Sequence, residues 1–437
     1  MAILGKERSK EMEAIYAGVN RLLDLNKEVP ESRAFSALLM GGKAATEAMF
    51  QALDEKKPVI SYNLGGIPEI FMALGDNEGE VFPFAMEKIV AQQALMGDLN
   101  YNLECIDLAE AQGMSNDVCS TDRALLGYLL RKVLMDSVCT VFVTAPCDSQ
   151  TVAADFLKEL TGKEVFVIDI PNLHGERDIQ YVARQLKDEI KFLEEKTGEK
   201  LNWDRLKDIC EESNRMVEKS LEWLEWRKTV PCPQTGKVLS LMYILLNDAS
   251  GTKGGTWIAT EFADDARERA SRGEAAAGKE QIRAIWFGSP IWHDVSFYDW
   301  MESELGMVIP IDMFSYVVPE MYIDTSNPES ILHGLARKQI YMPMGRHFTG
   351  APEYFIDDVL RAVADYKADC VLFAGHMACK HAWGLSGLLK EALREADIPL
   401  LTFEFDLFDP RITSSEALQE EFRRFANDIV LPRLKNA

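Results

Sequence analysis

Apolar runs of strand length alternate with helical stretches in the first half of the chain. Three such runs lie at residues 58–64, 139–145 and 164–170. Apolar runs of this length, bounded by turn residues, are typical of buried strands. Helical patterns cover residues 86–98, 122–136 and 149–161. Strand–helix alternation favours a parallel sheet with helices on its faces, so an α/β lobe is predicted over residues 58–178.

The C-terminal part of the chain repeats this alternation. Strands are predicted at residues 283–287, 307–311, 370–374 and 400–405. Helices are predicted at residues 352–367, 380–396 and 414–434. The pattern indicates a second α/β lobe over residues 281–437. The predicted fold class is therefore α/β, with two doubly wound (Rossmann/flavodoxin-like) lobes and mainly parallel sheets.

Two helical segments complete the predicted organisation. The N-terminal segment, residues 1–57, contains helical patterns at 12–26 and 43–56, the second placed behind a turn at Gly41-Gly42. The central segment, residues 179–280, has the period of long amphipathic helices over 179–227, with an interruption near Thr197-Gly198. Within it, small residues predict a loop at 247–256 and an Ala/Glu/Arg pattern predicts a helix at 261–277.

The charge of the chain narrows the possible partners. The 437 residues include 47 Lys and Arg against 70 Asp and Glu, which gives a formal net charge of -23. A field of this sign repels nucleic-acid backbones and anionic membranes, so neither is expected as a partner. A small anionic ligand stays compatible with it, because backbone amides and a few basic side chains can form a local site.

The sequence also predicts the cellular compartment of the protein and the absence of a nucleotide site. The N-terminus has no apolar core of signal-peptide length and no later stretch reaches the roughly 18 apolar residues of a membrane span, so a cytoplasmic protein is expected. The glycine-rich segment at residues 251–256 lacks the spacing of a phosphate-binding loop. No nucleotide is therefore expected on this chain.

The eight cysteines fall into three groups. In a reducing compartment they do not form a disulfide framework. Cys232, between two prolines, is predicted to be an exposed loop thiol. Four others lie in helical or strand-like runs and are expected to be small buried apolar residues, namely Cys105, Cys139, Cys210 and Cys370. The remaining three, Cys119, Cys147 and Cys379, each follow a turn signal or a strand-like run.

These three cysteines are candidates for a shared metal site. In open α/β sheets the ligand crevice lies beyond the carboxyl ends of the strands. Cys147 and Cys379 occupy such places, and Cys119 comes just before a helix whose amides can stabilise a thiolate. Three thiolates can hold three irons of a cubane cluster and leave the fourth open. Zinc bound by the three cysteines and His376 is an alternative, as are three unrelated thiols.

Three further residues are predicted near the same crevice. His376 and His381 flank Cys379, so each is a candidate proton donor, although a structural hydrogen-bonding role is the alternative for both. Glu69 follows the first predicted strand and is a candidate for binding or positioning a substrate. A solvated carboxylate at the start of a helix is its alternative interpretation.

The short blocks around these residues resemble the benzoyl-CoA reductase/2-hydroxyacyl-CoA dehydratase family over most of residues 50–430. The blocks are Pro68-Glu69 with Ala73-Leu74-Gly75, Asp117-Val118-Cys119-Ser120 with Arg123 and Gly127, Pro146-Cys147-Asp148, His376-Met377-Ala378-Cys379-Lys380, Ile398-Pro399-Leu400-Leu401 and Asp406-Leu407-Phe408-Asp409-Pro410-Arg411. Their order along the chain and their placement at strand ends make the combined match specific.

The resemblance implies a [4Fe–4S] cluster with one open iron, held by Cys119, Cys147 and Cys379. It also implies a related second cluster-binding subunit as partner, an acyl-CoA substrate, and a separate ATP-hydrolysing iron–sulfur activator that supplies electrons at low potential. The activator fits the absence of a nucleotide loop from the sequence.

Two reactions share the family scaffold. One is reduction of an aromatic thioester such as benzoyl-CoA to a cyclic diene in anaerobic aromatic degradation, and the other is radical dehydration of a 2-hydroxyacyl-CoA to an enoyl-CoA. The segment at residues 342–348 and the block at 403–406 are similar to the larger catalytic subunit of ATP-dependent benzoyl-CoA reductase, so the reductase is the first expectation. The dehydratase is the alternative. A non-catalytic electron-transfer subunit is a third possibility.

Overall fold

The computed structural model describes residue 5 and residues 7–28, 33–96 and 98–436. Within this part of the chain, two separate four-stranded sheets are parallel throughout. The first contains β1 (Val59–Tyr62), β2 (Phe82–Ala85), β3 (Cys139–Val143) and β4 (Val165–Ile168). The second contains β5 (Ile282–Gly288), β6 (Met307–Val308), β7 (Cys370–His376) and β8 (Leu400–Phe405). The predicted α/β class with two parallel sheets is confirmed.

Both sheets have the same strand order. The first runs β2-β1-β3-β4 and the second runs β6-β5-β7-β8. The two inner strands of each sheet, β1 with β3 and β5 with β7, are buried along their whole length, as expected for parallel strands covered on both faces. In this order the connections that leave the two inner strands run toward opposite sides of the sheet. The point between two such strands is where ligands bind in open α/β sheets.

Helices connect the strands and precede the first sheet. The helices of the first part are α1 (Lys10–Glu28), α2 (Arg33–Asp54), α3 (Pro68–Met72), α4 (Met86–Met96), α5 (Leu99–Ala111), α6 (Ser120–Leu130) and α7 (Asp148–Thr161). Between the two sheets lie α8 (Glu176–Thr197), α9 (Trp203–Arg227), α10 (Leu241–Asp248) and α11 (Lys253–Ser271). The predicted pair of long central helices, broken at Gly198, is confirmed, because Gly198 caps α8 in the left-handed conformation.

The second part contains seven α-helices and a π-helix in the described residues. They are α12 (Ser296–Leu305), α13 (Pro328–Tyr341), α14 (Gly345–Phe348), α15 (Pro352–Asp365), α16 (Lys380–Glu395), α17 (Ser415–Arg424), the π-helix Phe425–Val430 and α18 (Leu431–Asn436). Short 3-10 turns lie at Gly236–Val238, Met313–Ser315 and Pro319–Met321. Most of the buried apolar side chains of both sheets and of the central helices form one continuous core. The division into four segments with set boundaries stays a prediction.

Two predicted irregular segments are helical. The turn at Gly41-Gly42 lies inside α2, where a Cβ on Gly41 would stand 2.5 Å from Ile258 Cδ1 of α11. Gly41 therefore permits close packing of two helices rather than a turn. The predicted loop at 247–256 is also wrong in part, because α11 begins at Lys253 with the Thr252 hydroxyl accepting from the Gly255 N–H at 3.0 Å.

One strand was missed. β2 is four residues long and contains Pro83, which cannot donate to a ladder and is tolerated because β2 is at the edge of its sheet. The second strand of the second alternation, predicted at 307–311, is only Met307–Val308. None of the helices in the described part of the chain has the length and apolar character that a membrane crossing requires.

Two glycines have the same backbone conformation at the carboxyl ends of the inner strands β1 and β5. Gly65, just after β1, has φ +116°, and Gly288, the last residue of β5, has φ +117°. A Cβ at these positions would lie 3.3 Å from the Ala145 carbonyl oxygen and 2.2 Å from the Ala374 carbonyl oxygen. Each glycine lets the chain leaving one inner strand pass close to the backbone of the other.

Candidate functional site

Cys147 and Cys379 occupy equivalent places in the two sheets. Cys147 lies four residues after the end of β3 and Cys379 lies three residues after the end of β7. β3 and β7 are the third strands in their respective sheet orders. Each cysteine is also the residue immediately before a helix, α7 in the first case and α16 in the second. The predicted placement of both at carboxyl ends of inner strands is confirmed.

Cys119 reaches the same crevice from α6. It is the residue immediately before that helix, and its backbone N–H donates to Ser149 Oγ at 3.1 Å, in the first turn of α7. All three candidate ligands therefore stand at the N-termini of helices of 11, 14 and 16 residues. The free amides and the dipole of a helix N-terminus favour negative charge, and thus a thiolate.

An exposed ion-pair network joins the three cysteine loops. Lys380 Nζ lies 3.0 Å from Asp148 Oδ2 and 3.2 Å from Asp117 Oδ2. Asp148 follows Cys147, Lys380 follows Cys379, and Asp117 precedes Cys119 by two residues. We call this network the Asp117–Lys380–Asp148 clasp. It shows that segments up to 263 residues apart in sequence meet at one place.

All three cysteines are free thiols that are partly shielded from solvent. This shielding raises the pKa of each thiol above its ordinary value, to about 11 for Cys379. After burial, the neighbouring ionisable groups of Asp122, Cys119 and Cys379 also raise the pKa of Cys147. Metal binding to this set would have to displace the thiol protons, which a metal cation does by direct coordination.

The donor set of three thiols suits either a cluster or a single zinc ion by ligand type. In the described part of the chain, no three His, Cys, Asp or Glu side chains are arranged to hold one metal ion. A tetrahedral zinc would need its sulfurs about 3.8 Å apart. The cluster and the alternative of zinc bound by the three cysteines and His376 both stay predictions. A cubane spreads three thiolates over three irons, which requires wider separation.

His376 is the last residue of β7 and is 2% exposed. Its Nδ1 accepts from the Leu407 N–H at 3.3 Å and lies 3.7 Å from Asp406 Oδ2. Burial lowers the pKa of His376, and the Asp406 carboxylate opposes part of that effect. The neutral ring thus carries its proton on Nε2, which has no hydrogen-bond partner among the described residues. The role of His376 as proton donor stays a prediction.

A buried arginine connects the cysteine loop to this histidine. Arg123 Nε donates to the carbonyl of Val118, next to Cys119, at 2.9 Å, and its guanidinium lies 3.4 Å from Asp406 Oδ2. It also pairs with Glu110. Asp406 in turn accepts from the backbone N–H groups of Phe408 and Asp409. Arg123 therefore links the start of α6 to the loop after β8 that contacts His376.

His293 lies beside the same loop and was not identified from the sequence. Its Nδ1 is 3.0 Å from the Asp406 carbonyl oxygen, and its backbone N–H donates to the Leu407 carbonyl at 3.0 Å. Burial lowers the pKa of His293. A histidine five residues beyond the end of β5 has no local sequence signal. Arg123 and Asp406 did belong to the recognised blocks, which was the one available clue to their importance.

Glu69 lies in a closed ionic cluster instead of at a solvated helix start. It is fully buried, pairs with Lys338 of α13, and accepts from Ser213 Oγ at 2.7 Å. Lys338 also donates to Ser213 and to Ser250, at 3.0 and 2.6 Å. Burial opposes ionisation, but the Lys338 ammonium outweighs it and lowers the pKa of Glu69. The alternative of a solvated carboxylate is wrong, and a substrate-positioning role stays a prediction.

Other residues singled out in the sequence have internal partners. His381 follows Cys379 by two residues, and its Nδ1 lies 2.9 Å from the Phe348 carbonyl oxygen. Arg346 forms two bonds to the buried carboxylate of Asp358, at 2.6 and 3.0 Å, with His347 against the same carboxylate. Cys232 is fully buried, so its prediction as an exposed thiol is wrong: it packs with Ala277 and Val308.

A surface depression of about 420 Å³ lies on the N-terminal helices, far along the chain from the cysteines. It is lined by Arg8, Glu13, Tyr16, Glu47, Phe50, Gln51, Asp54 and Glu55. None of the predicted site residues contributes to it. It is therefore not evidence for a substrate site at the crevice.

Comparison with known proteins shows which family the chain belongs to. The family model described as 2-hydroxyglutaryl-CoA dehydratase, D-component, matches residues 68–429. The (R)-phenyllactyl-CoA dehydratase alpha subunit of Clostridium sporogenes is 24% identical over 339 residues, which are 74% of this chain and 80% of that protein. The lactoyl-CoA dehydratase subunit alpha of Anaerotignum propionicum is 21% identical over 337 residues, 71% of this chain and 78% of that protein.

A third relative matches a shorter stretch. The (R)-2-hydroxyglutaryl-CoA dehydratase subunit alpha of Acidaminococcus fermentans is 24% identical over 269 residues, 56% of this chain and 51% of that protein. The family match includes all three candidate cysteines, His376 and Glu69. The chain belongs to the benzoyl-CoA reductase/2-hydroxyacyl-CoA dehydratase family, as the blocks around its cysteines predict.

Proposed function

We propose that the chain is a catalytic subunit of a 2-hydroxyacyl-CoA dehydratase-type enzyme that binds a [4Fe–4S] cluster through Cys119, Cys147 and Cys379. The observation that carries the proposal is the meeting of the three cysteine loops at one crevice, each at a helix N-terminus. The names of the relatives support dehydration of a 2-hydroxyacyl thioester as the reaction class. All are called alpha subunits, which supports a second subunit as partner.

When bound, the cluster would supply one-electron chemistry and one iron with an open coordination position. The chain's own contribution is to hold the site and control its protons. Three helix N-termini would stabilise the negative charge of the thiolates. The surrounding burial would keep water from the reacting centre. His376 keeps its proton on Nε2, from which it can donate a hydrogen bond or the proton.

Reduction of an aromatic thioester is the second candidate for the same scaffold. It is the first expectation from the sequence, based on residues 342–348 and 403–406. In the structure, Arg346 and His347 of that segment are engaged with Asp358, so the segment gives no sign of substrate contact. The dehydratase names of the relatives therefore favour dehydration as the first candidate. A non-catalytic electron-transfer subunit is the third candidate. In each case a separate ATP-hydrolysing activator would supply the electrons.

Metal content tests the cluster directly. After anaerobic purification with the partner subunit, we expect about four iron and four sulfide per chain. Cys119→Ser, Cys147→Ser and Cys379→Ser should each lose most of that iron with the fold retained, because the three loops border a crevice. Cys370→Ala, at the opposite end of β7 from Cys379, is the matched control and should keep it. Zinc in place of iron, or equal iron in all variants, would refute the proposal.

Substrate discrimination tests the reaction class. With partner, activator and ATP, we expect 2-hydroxyacyl-CoA esters to be dehydrated and to change the electron paramagnetic resonance spectrum of the cluster. Benzoyl-CoA should do neither. Reduction of benzoyl-CoA would establish the second candidate instead. A cluster that transfers electrons while no thioester changes its spectrum would establish the electron-transfer role.

A further inference from the structure

The Asp117–Lys380–Asp148 clasp contains one residue from each of the three cysteine loops. The ammonium of Lys380 lies within 3.2 Å of both carboxylates, and no other residue is needed to connect the three loops. All three side chains are about half exposed, at 50% for Lys380, 60% for Asp117 and 47% for Asp148. The clasp therefore lies at the mouth of the crevice rather than inside it.

The loops of Cys119 and Cys147 are also linked directly to each other, and Gln150 Nε2 donates to Asp122 Oδ1 at 3.4 Å. The Cys119 N–H donates to Ser149 Oγ, which ties the loops of Cys119 and Cys147 to each other. The loop of Cys379 has no part in that bond. Lys380 is thus the side chain that brings the loop of the second sheet to the two loops of the first. Asp148 is also the first residue of α7, where a carboxylate is favoured by the helix dipole.

We infer that Lys380 is a positioning residue, which holds the loops of Cys119, Cys147 and Cys379 at the separation that a three-thiolate cluster site requires. The inference rests on the proposed function and adds to it a residue that touches neither metal nor substrate. Its strength is limited by solvent, because an exposed ion pair changes an equilibrium only about 1.5-fold to 5-fold. Losing both pairs should then raise the local opening of the loops roughly twofold to thirtyfold.

The variants separate charge from packing. Lys380→Met keeps most of the side-chain volume and removes the ammonium, whereas Lys380→Arg keeps the charge and can bond both carboxylates. Lys196→Met is the matched control, since Lys196 also lies between two carboxylates, Glu164 and Glu195, at 2.7 and 3.0 Å, but is remote from the cysteines in sequence. The comparison shows whether the effect depends on the position of Lys380 between the cysteine loops, or whether removing any lysine that pairs with two carboxylates has the same effect.

Hydrogen exchange of the full chain, stripped of metal by a chelator, gives a readout that needs no cluster. In Lys380→Met, amide exchange should quicken roughly twofold to thirtyfold in segments 116–122, 147–152 and 378–384 together. Lys380→Arg should restore wild-type rates, and Lys196→Met should leave them unchanged. The difference between Lys380→Met and wild type should shrink at 1 M salt, where the Debye length falls to about 3 Å.

Unchanged exchange in Lys380→Met, or faster exchange confined to the 378–384 segment, would overturn the inference. Iron content provides the second readout, since Lys380→Met should hold less iron than wild type at equal chelator concentration, and full retention would also overturn it. The proposed function fails separately: if the wild-type chain binds no iron with its partner, the cluster is absent whatever the exchange rates of the variants.

Discussion

Glu189 of α8 is an isolated buried acid. It is fully buried, and neither carboxylate oxygen has a hydrogen-bond partner among the described residues. Burial raises the pKa of Glu189 to about 8. The folded state therefore keeps the carboxyl protonated where the unfolded chain has already ionised. Between about pH 4.5 and 8 unfolding releases this proton, so Glu189 lowers the free energy of unfolding as pH rises.

We predict that Glu189→Gln stabilises the protein increasingly toward pH 8. The advantage over wild type should grow by up to about 1.4 kcal/mol per pH unit across that window, because the amide cannot ionise. Denaturant unfolding at pH 5, 6, 7 and 8 measures it. Asp188→Asn, which changes an exposed neighbouring carboxylate, should leave the pH dependence as in wild type. Parallel stability curves for Glu189→Gln and wild type would contradict the prediction.

Individual site residues were predictable only where they carry unusual chemistry. Cysteines that follow a turn signal or a strand end are few enough for the sequence to single out three of eight as candidates. Arg123 and His293 belong to residue types with many ordinary uses, and their partners Asp406 and Leu407 are 283 and more than 100 residues away. Local spacing cannot reveal such pairs.

At the scale of elements, the Glu69–Lys338 pair joins α3 to α13. Ser213 of α9 donates to Glu69, and Ser250, just before α11, accepts from Lys338. The Gln339 side chain adds a bond to the Gly65 carbonyl at 2.9 Å, so α13 also contacts the chain leaving β1. The buried cluster thus connects α3, α9 and α13, and its charges are not exposed to solvent. The Gln339 bond holds α13 next to the carboxyl end of β1.

We predict that Lys338→Met destabilises the protein by about 3–5 kcal/mol, because it leaves the Glu69 carboxylate buried without a counter-charge. Denaturant unfolding provides the measurement. The double variant Glu69→Gln with Lys338→Met should recover much of the loss, since no buried charge remains. Lys187→Met removes an exposed pair with Glu329 and should cost about 0–1 kcal/mol. A loss in Lys338→Met as small as that of Lys187→Met would refute the buried-charge argument.

Elements with a strong period were predicted well and irregular ones were not. The long helices α8 and α9 have a regular amphipathic period, and the inner strands β3, β5 and β7 are mainly apolar. β2 has four residues and one proline, and α2 contains two adjacent glycines, so local propensity contradicts the structure in both. In each case a tertiary contact determines the secondary structure. β2 pairs with β1, and the absence of a side chain on Gly41 leaves room for Ile258 of α11.

For the whole molecule, the candidate site depends on how its two sheets are brought together. Lys380 to Asp148 and Arg123 to Asp406 join residues 232 and 283 positions apart. The sequence predicted that two lobes would share a crevice, because parallel strands bring their carboxyl ends to one edge. These two contacts come from charged side chains in the first turns of helices and in the loop after β8, and apolar periodicity provides no information about them.

The shared strand order has a consequence for the number of ligands. The helices that precede β3 and β7 are α6 and α15, so the residues before them are counterparts: Cys119 in one half and Ala351 in the other. If both halves had a cysteine at this position, the chain would provide four thiols, one for each metal of a four-metal cluster. Here internal symmetry is kept for Cys147 and Cys379 and broken at Ala351. If the proposed cluster binds to these three cysteines, the missing fourth thiol would leave one metal without a ligand from the chain itself.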